Sequence, residues 1–469
     1  MRILLITPPQ SKNIQASIPD IFYDLRGMHP PIGLLYLESF LSKKTSSHTV
    51  EIYDIYAEED SEEEAVKKIN EFDPDLVGIQ MLTLSAPNTL SILSKVKSLN
   101  PNIITVVGGS HPTLYPKKTA ALKEVDYAVL GEGEVPFYKL VKNLEAGNNN
   151  PKIKGLSYKF NDELYLNRGS NSLKDLDEVP LIDRRLLNIN NYQSSFSGER
   201  KITSIVTSRG CPYNCVFCAK FENNFRAHSP EYVVEDIKNS LEMGIEEIFV
   251  VDDTFSLNIE RAKEICRLVI SQELEFSWYI NTRVNTVDEE LLGLLKEAGC
   301  KQVNYGIESG SQRIIENLNK GIDLKKAEEV IKKTKDAGID ALCYFMIGTP
   351  GETIEDIEKT KNFIKRAKPD FVRFSVTTLE PCTELYQMAL REGVVDEDVW
   401  SNFAENPRED FHVPVWDKNF SEEELNDMLV SLSKEHYIKP KFILKNLMKI
   451  RGWKDFKNGL RSFFKIMKM

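Results

Sequence analysis

Cys211-Pro212-Tyr213-Asn214-Cys215-Val216-Phe217-Cys218 stands directly behind a Ser208-Arg209-Gly210 turn, which itself ends the strand-like run Ile202–Thr207. Three cysteines this close, spaced C-x3-C-x2-C, cannot close a full set of disulfides. They can hold three irons of a [4Fe–4S] cube and leave the fourth iron open, by the same logic that separates an open catalytic metal position from a closed structural one. A zinc knuckle is the competing reading. Zinc wants a fourth Cys or His close by, and the nearest, His228, is ten residues on.

Around the cysteines, short apolar runs alternate with helical patterns. Strand candidates are Ile202–Thr207, Glu247–Val251, Glu275–Asn281, Gln302–Gly306, Asp340–Ile347 and Phe371–Thr377, with helices over 230–243, 258–271, 288–298, 311–318, 324–337 and 353–367. Six βα units in a row predict a partial (β/α)6 barrel of the TIM type over 201–395, its site built from the loops that follow the strands. Those loops carry Asp252-Asp253-Thr254-Phe255, Asn281-Thr282-Arg283, Gly306-Ile307-Glu308-Ser309-Gly310 and the stretch from Phe345 to Thr353 containing Gly348 and Pro350. Taken singly each has a plain structural reading: Asp253 or Thr254 as a helix N-cap, Gly-x-Glu-Ser-Gly as a turn.

Together, in this order behind the cysteines and with aromatic Phe217 just before the last of them, these motifs resemble the radical S-adenosylmethionine (SAM) enzyme family over about 202–380. The resemblance implies that Cys211, Cys215 and Cys218 ligate a [4Fe–4S] cluster. It implies that the open iron chelates the amino and carboxylate groups of SAM, and that one-electron cleavage releases methionine and a 5′-deoxyadenosyl radical. It also implies SAM contacts from Phe217, Asp252, Asp253, Asn281, Arg283, Glu308, Ser309, Gly348 and Pro350. The glycine at 348 would let backbone approach adenine, and the polar groups would meet the amino group, ribose diol and carboxylate. Relatives commonly have Gly where this chain has Cys382, a thiol at the barrel mouth.

Residues 1–148 alternate in the same way. Runs Ile3–Thr7, Thr49–Tyr53, Leu76–Met81, Ile103–Val107 and Tyr127–Leu130 separate helices over 32–44, 61–71, 86–98 and 134–145, which predicts a doubly wound, Rossmann-like parallel sheet. Ligands in such sheets sit at the carboxyl ends of strands. Pro31-Ile32-Gly33-Leu34, the loop Gly108-Gly109-Ser110-His111-Pro112-Thr113 and Gly131-Glu132-Gly133-Glu134 resemble the cobalamin-binding domain that precedes many radical enzymes. The resemblance implies cobalamin contacts from Pro8, Thr83, Ser85, Gly108, Gly109, His111, Pro112, Thr113, Gly131, Glu132, Gly133 and Glu134, with the glycines admitting a wide corrin plate. The chain has no Asp-x-His-x-x-Gly cobalt-ligating loop. The expectation is therefore base-off cobalt without a strong protein ligand, faced by Leu82, Thr83 and Ser85, with His111 on the tail side. A module that has lost its cofactor is the alternative. A dinucleotide is disfavoured, because no Gly-x-Gly-x-x-Gly follows the first strand.

Residues 149–200 read as a linker with a hairpin, Ile153–Lys159 and Leu164–Asn167, and residues 396–469 as a small, mainly helical region. From Lys439 to Met469 ten Lys or Arg interleave with apolar residues against one acid, Asp455. That segment reads either as a peripheral membrane contact or as a helix over the barrel mouth with a solvated basic face. The chain as a whole is acidic, 60 Lys and Arg against 71 Asp and Glu, which argues against a nucleic-acid partner. No stretch has the length and apolarity of a transmembrane helix, and Met1–Pro9 lacks a signal peptide's features. Seven cysteines, an odd count, fit a reducing cytoplasm, with the inner membrane face as the peripheral variant of that location. Cys266, Cys300 and Cys343 read as buried fillers.

The resemblances together imply a cobalamin-dependent radical SAM enzyme. The expected reaction is methylation of an unactivated carbon through a 5′-deoxyadenosyl radical and methylcobalamin, on a small-molecule or lipid-like substrate, with electrons from a flavodoxin or ferredoxin. A radical SAM cyclase or oxidoreductase of the same architecture is the first alternative; a non-enzymatic cobalamin or redox sensor is the second.

Overall fold

Strand β1, Arg2–Thr7, is buried along four consecutive residues, the pattern of a strand covered on both faces rather than one. The computed structural model describes residues 1–14, 28–45, 47–169, 172–193 and 200–438. After β1 come α1 (Ile32–Lys44), β2 (Thr49–Asp54), α2 (Ile55–Glu58), α3 (Glu62–Phe72), β3 (Leu76–Gln80), α4 (Ala86–Leu99), β4 (Ile104–Gly108), α5 (Ser110–Leu114), α6 (Pro116–Ala121), β5 (Tyr127–Val129) and α7 (Glu134–Glu145). The hairpin β6 (Leu156–Phe160) and β7 (Glu163–Asn167) follows. Ser61 and Glu64 form a reciprocal capping box that starts α3, the Ser-x-x-Glu signature of a helix beginning.

These strands make one seven-stranded sheet in the order β2-β1-β3-β4-β5-β6-β7. The first five are parallel, and the hairpin adds antiparallel to β5. Strands read from sequence as part of a linker therefore complete the edge of the first sheet. The order of the parallel strands reverses between β1 and β3, and that crevice is where ligands of doubly wound sheets bind.

The second sheet holds β8 (Ile202–Ile205), β11 (Glu247–Val250), β12 (Ser277–Thr282), β13 (Cys300–Glu308), β14 (Asp340–Ile347) and β15 (Phe371–Val376), six strands side by side in sequence order. All its pairings are parallel. β8 and β15 do not pair, so the sheet is a partial barrel. A separate ladder of β9 (Ser208–Arg209) with β10 (Arg226–Ala227) closes the base of the cysteine loop. The helices are α8 (Pro230–Glu242), α9 (Ile259–Ser271), α10 (Glu289–Glu297), α11 (Gln312–Asn317), α12 (Leu324–Asp336), α13 (Ile354–Ala367) and α14 (Glu384–Arg391). Side chains of the helix-facing sheet surface, among them Ile248, Trp278, Val303, Tyr305, Cys343, Phe345 and Phe374, form the core with these helices.

The described residues divide into two compact units, one within 1–14, 30–191 and 397–412, the other within 28–29, 192–396 and 413–438. The region read as one C-terminal helical piece is thus shared: α15 (Val399–Glu405) belongs to the first unit, and α16 (Glu422–Tyr437) packs on β15 in the second. Among the described residues no helix is long and apolar enough to cross a membrane. The basic segment 439–469 lies outside the described residues.

Candidate active site

The cysteine loop springs from β9 and is held from beneath by buried polar groups. Asp252 accepts from the Thr207 amide at 2.6 Å, the Thr207 hydroxyl at 2.5 Å and the Ser208 hydroxyl at 2.6 Å. Arg261 donates to the carbonyls of Thr207 and His228, both at 2.7 Å. Burial pushes the Asp252 carboxyl up, and the three donors and Arg261 pull against that. Asp252, expected at the amino group of SAM, is instead spent inside the protein as the strut beneath this loop. Gly210 has φ +86°, and a Cβ there would stand 2.4 Å from the Asn224 carbonyl oxygen, so the turn into the cysteines needs glycine.

All three cysteines are free thiols; Cys211 and Cys215 are half-buried and Cys218 is exposed. Among the described residues no group of three His, Cys, Asp or Glu side chains converges as a single-ion cage would require. A cube asks for something else, three thiolates spread over three irons. His228, the nearest candidate in sequence for a fourth zinc ligand, is buried and stacked on Tyr232 at 3.9 Å between ring centroids. The surroundings push the Cys218 thiol up, through desolvation first and then through neighbouring Cys215 and Asp253; bound iron reverses that balance by deprotonating the thiol.

Basic side chains of the barrel meet the loop. Arg283 places Nη1 3.7 Å from the Cys215 sulfur, lies 3.7 Å over the Tyr213 ring and donates to the Lys320 carbonyl. Lys320 Nζ binds Glu308 Oε1 at 2.6 Å and lies 5.6 Å from the Phe217 ring. Arg283, Lys320, Glu308 and Phe217 are thereby one connected group around the cysteines. Arg283 thus lies directly against the cysteine loop. Glu308 has φ +69° at a register shift of β13, which aims its carboxylate at Lys320.

The remaining expected SAM contacts fall into two sets. Asp253 is exposed, its carboxyl raised by desolvation, and Asn281 accepts from Asn304 at 3.0 Å in a polar row with Gln302. Ser309 is buried and accepts from the Ser311 amide at 3.2 Å beside Thr360, on the helix side. Pro350 is buried. Gly348 was expected to admit adenine, but its Cβ position is filled by Leu425 of α16, 2.7 Å away; the glycine makes room for a helix. Cys382 has φ +59° and is exposed, which explains why glycine suits that position. Lys320, and His29, which hydrogen-bonds Ser204 at 2.9 Å and lies 5.4 Å from the Phe249 ring, carry no motif that would have marked them.

At the carboxyl ends of the first sheet, the side-chain oxygens of Thr7 and Thr83 and both ring nitrogens of His111 are buried with no hydrogen-bond partner among the described residues. Buried polar groups are ordinarily satisfied, so four orphans on three strand ends call for a polar ligand. They lie at the last residue of β1 and just after β3 and β4, around the point where strand order reverses. Leu82 beside them is 44% exposed, an apolar surface suited to a corrin plate. Desolvation holds His111 neutral, its pKa lowered to about 4; its ring meets Tyr115 and, at 6.1 Å, Phe403 of α15, a neighbour too distant in sequence to foresee. Ser85 is occupied capping its own turn at Leu82. Thr113 accepts from the Gly131 amide at 2.9 Å and donates to the Gly109 carbonyl at 2.7 Å, tying the two glycine loops together. Of the four glycines, Gly131 leaves open space where a Cβ would stand, while Gly109 and Gly133 are closed by Met81 and Leu37 and Gly108 meets Val129. Pro8, Pro112 and Glu134 are buried, and Glu132 is half-buried. The residues present fit cobalamin.

Residues 205–364 match the Radical SAM superfamily, and residues 20–141 match the B12 binding domain family. The chain is 33% identical to an uncharacterized methyltransferase of Pyrococcus horikoshii over 99% of its own length and 98% of that protein. It is 30% identical to the anaerobic magnesium-protoporphyrin IX monomethyl ester cyclase of Cereibacter sphaeroides over 79% of this chain and 62% of that one. It is 27% identical to the cytidylyl-2-hydroxyethylphosphonate methyltransferase of Streptomyces wedmorensis over 80% of each. The fold is shared with the radical SAM methyltransferase TsrM of Kitasatospora setae (TM-score 0.70, 19% identity, 83% of this chain and 76% of that one). It is shared also with the cobalamin-dependent SAM radical enzyme OxsB (TM-score 0.73, 16% identity, 99% and 72%).

Proposed function

Because the chain belongs to the cobalamin-binding radical SAM family, we propose that it methylates an unactivated carbon of a small-molecule substrate. The observation that carries this reading is the likeness to a protein named a methyltransferase, at 33% identity over 98% of that protein, against 25–30% identity over 62–83% of the cyclase relatives. When bound, the cluster with SAM supplies a hydrogen-abstracting radical and cobalamin supplies the methyl group.

The protein's part is to bind and orient. Cys211, Cys215 and Cys218 hold the cluster. Asp252 and Arg261 fix the loop that carries them. Arg283 and Lys320 bring positive charge to its edge, and Glu308 is a hydrogen-bond acceptor suited to a ribose diol. In the first unit Thr7, Thr83 and His111 offer the buried polar partners, and Leu82 the apolar contact, for cobalamin.

The net reaction balances with two SAM molecules. One loses its methyl group and leaves as S-adenosylhomocysteine. The other accepts one electron, breaks its carbon–sulfur bond and leaves as methionine and 5′-deoxyadenosine, the latter carrying the substrate's hydrogen. A second electron restores the starting state, both from a flavodoxin- or ferredoxin-class donor. The test is anaerobic reconstitution with iron, sulfide and hydroxocobalamin, followed by product analysis under reductant. Methyl transfer requires S-adenosylhomocysteine and 5′-deoxyadenosine in equal amounts. 5′-Deoxyadenosine alone would favour the ring-forming chemistry of the cyclase relatives, and neither product would leave a sensor.

A further inference from the structure

Arg373 lies mid-strand on β15, on the face opposite the helix-packed core. The alternation shows this: Val372, Phe374 and Val376 are buried in that core, while Arg373 and Ser375 are exposed between them. Its register partner on β14 is Tyr344, and the partner of Tyr344 on β13 is Gly306. A Cβ on Gly306 would stand 2.5 Å from Glu308 Oε1 and 2.7 Å from Lys320 Nζ. The Glu308–Lys320 pair therefore hangs over the same face, the lumen of the partial barrel. Tyr344 lies between the two charged positions: desolvation raises its hydroxyl, and of its charged neighbours Arg373 lowers it and Glu308 raises it.

The charges along this row do not cancel. Glu308 is satisfied by Lys320 at 2.6 Å. Lower in the lumen, Glu247 is met by Arg200 at 3.4 Å and by the Tyr279 hydroxyl at 3.2 Å. Among the described residues no carboxylate reaches Arg373. A guanidinium presents its donors in a planar fork that matches a carboxylate or phosphate through two parallel hydrogen bonds. A strand within a barrel fixes that fork far better than a surface loop.

We propose that Arg373 is the substrate's anchor, and that the substrate carries an anionic group, a carboxylate or a phosphate, which Arg373 receives with the Tyr344 ring flanking it. The remainder of the molecule then extends past Gly306 toward Glu308 and the cysteine loop. Arg373 is a positioning and specificity-determining residue and takes no part in bond breaking. The inference rests on the reading of the lumen as the place where substrate meets the radical.

The test is phenylglyoxal footprinting of cluster- and cobalamin-loaded wild-type protein, read by peptide mass spectrometry at Arg373 and at Arg391 as the exposed control. Inorganic phosphate, acetate and neutral glycerol are the probes, each with and without SAM. The expected result is that phosphate or acetate slows modification of Arg373 several-fold, that glycerol does not, and that Arg391 is unaffected by all three; whichever anion protects identifies the group. Equal rates at Arg373 with and without both anions would overturn the proposal. So would full protection by SAM alone, which would assign the guanidinium to the SAM carboxylate. Formation of 5′-deoxyadenosine is measured in the same preparation. Its absence would sink the radical reading while the footprint still reports the anion site.

Discussion

Gly210 and His111 show how much a single position carries. At Gly210 an L-residue would adopt the left-handed backbone at a cost of about 1–2 kcal/mol, and its Cβ would also meet the Asn224 carbonyl at 2.4 Å. Gly210→Ala is expected to lower iron and sulfide bound after reconstitution several-fold, with circular dichroism unchanged; wild-type iron content would refute the tight turn. His111 makes a different prediction. Its pKa falls from 6.5 to about 4 on folding, so the native state favours the neutral ring. The stability this contributes is complete above pH 6.5 and is lost as pH drops to 4, by about 3 kcal/mol at most. Melting of cofactor-free wild type against His111→Phe across that window should show the wild type losing stability faster with acid, and parallel curves would contradict the buried neutral ring. The cysteines were legible because their spacing is local. Asp252 was not: its partners Thr207 and Ser208 lie forty-five and forty-four residues earlier, and an Asp-Asp-Thr after a strand looks the same whether it faces a ligand or a neighbouring turn.

Elements were easier to read than their partners. Alternating apolar runs gave the strands and helices of both units, because pairing with covered faces leaves a period that sequence shows directly. Two features escaped. The β6–β7 hairpin joins the first sheet through pairs such as Ala128 with Ser157, which no local pattern announces. The turn after β14 is shaped by α16: Leu425 fills the space over Gly348, and Asn419 donates to the Glu352 carbonyl at 2.8 Å. Inside that turn Glu352 accepts from the amides of Gly348 at 2.7 Å and Thr349 at 3.1 Å, yet burial raises its carboxyl from 4.5 to about 7. A raised acid destabilises the fold as it ionises, so this element is most stable below pH 4.5 and weakens by up to about 3 kcal/mol as pH rises to 7. Glu352→Gln should therefore gain stability relative to wild type between pH 4.5 and 7 and hold a constant advantage above. A difference independent of pH would mean that the two amide bonds already offset the burial.

At the scale of the whole molecule, the groups that fit cobalamin and those that fit the cluster belong to different compact units, each with its own sheet and core. Thr7, Thr83 and His111 stand on the first sheet, while the cysteine loop is braced by Asp252, Arg261 and Arg283 of the second. Binding of each group should then be separable even though turnover needs both. Replacing Cys211, Cys215 and Cys218 together by Ala is expected to abolish the cluster and all 5′-deoxyadenosine while leaving one corrin per chain by absorption. Replacing Thr83 by Val and His111 by Phe removes orphaned polar atoms without opening a cavity. That variant is expected to lose most of its corrin, stop making S-adenosylhomocysteine, and still release 5′-deoxyadenosine under reductant. Loss of corrin in the cysteine variant would show that the cluster orders the cobalamin face. Corrin and cluster binding would then be coupled rather than independent.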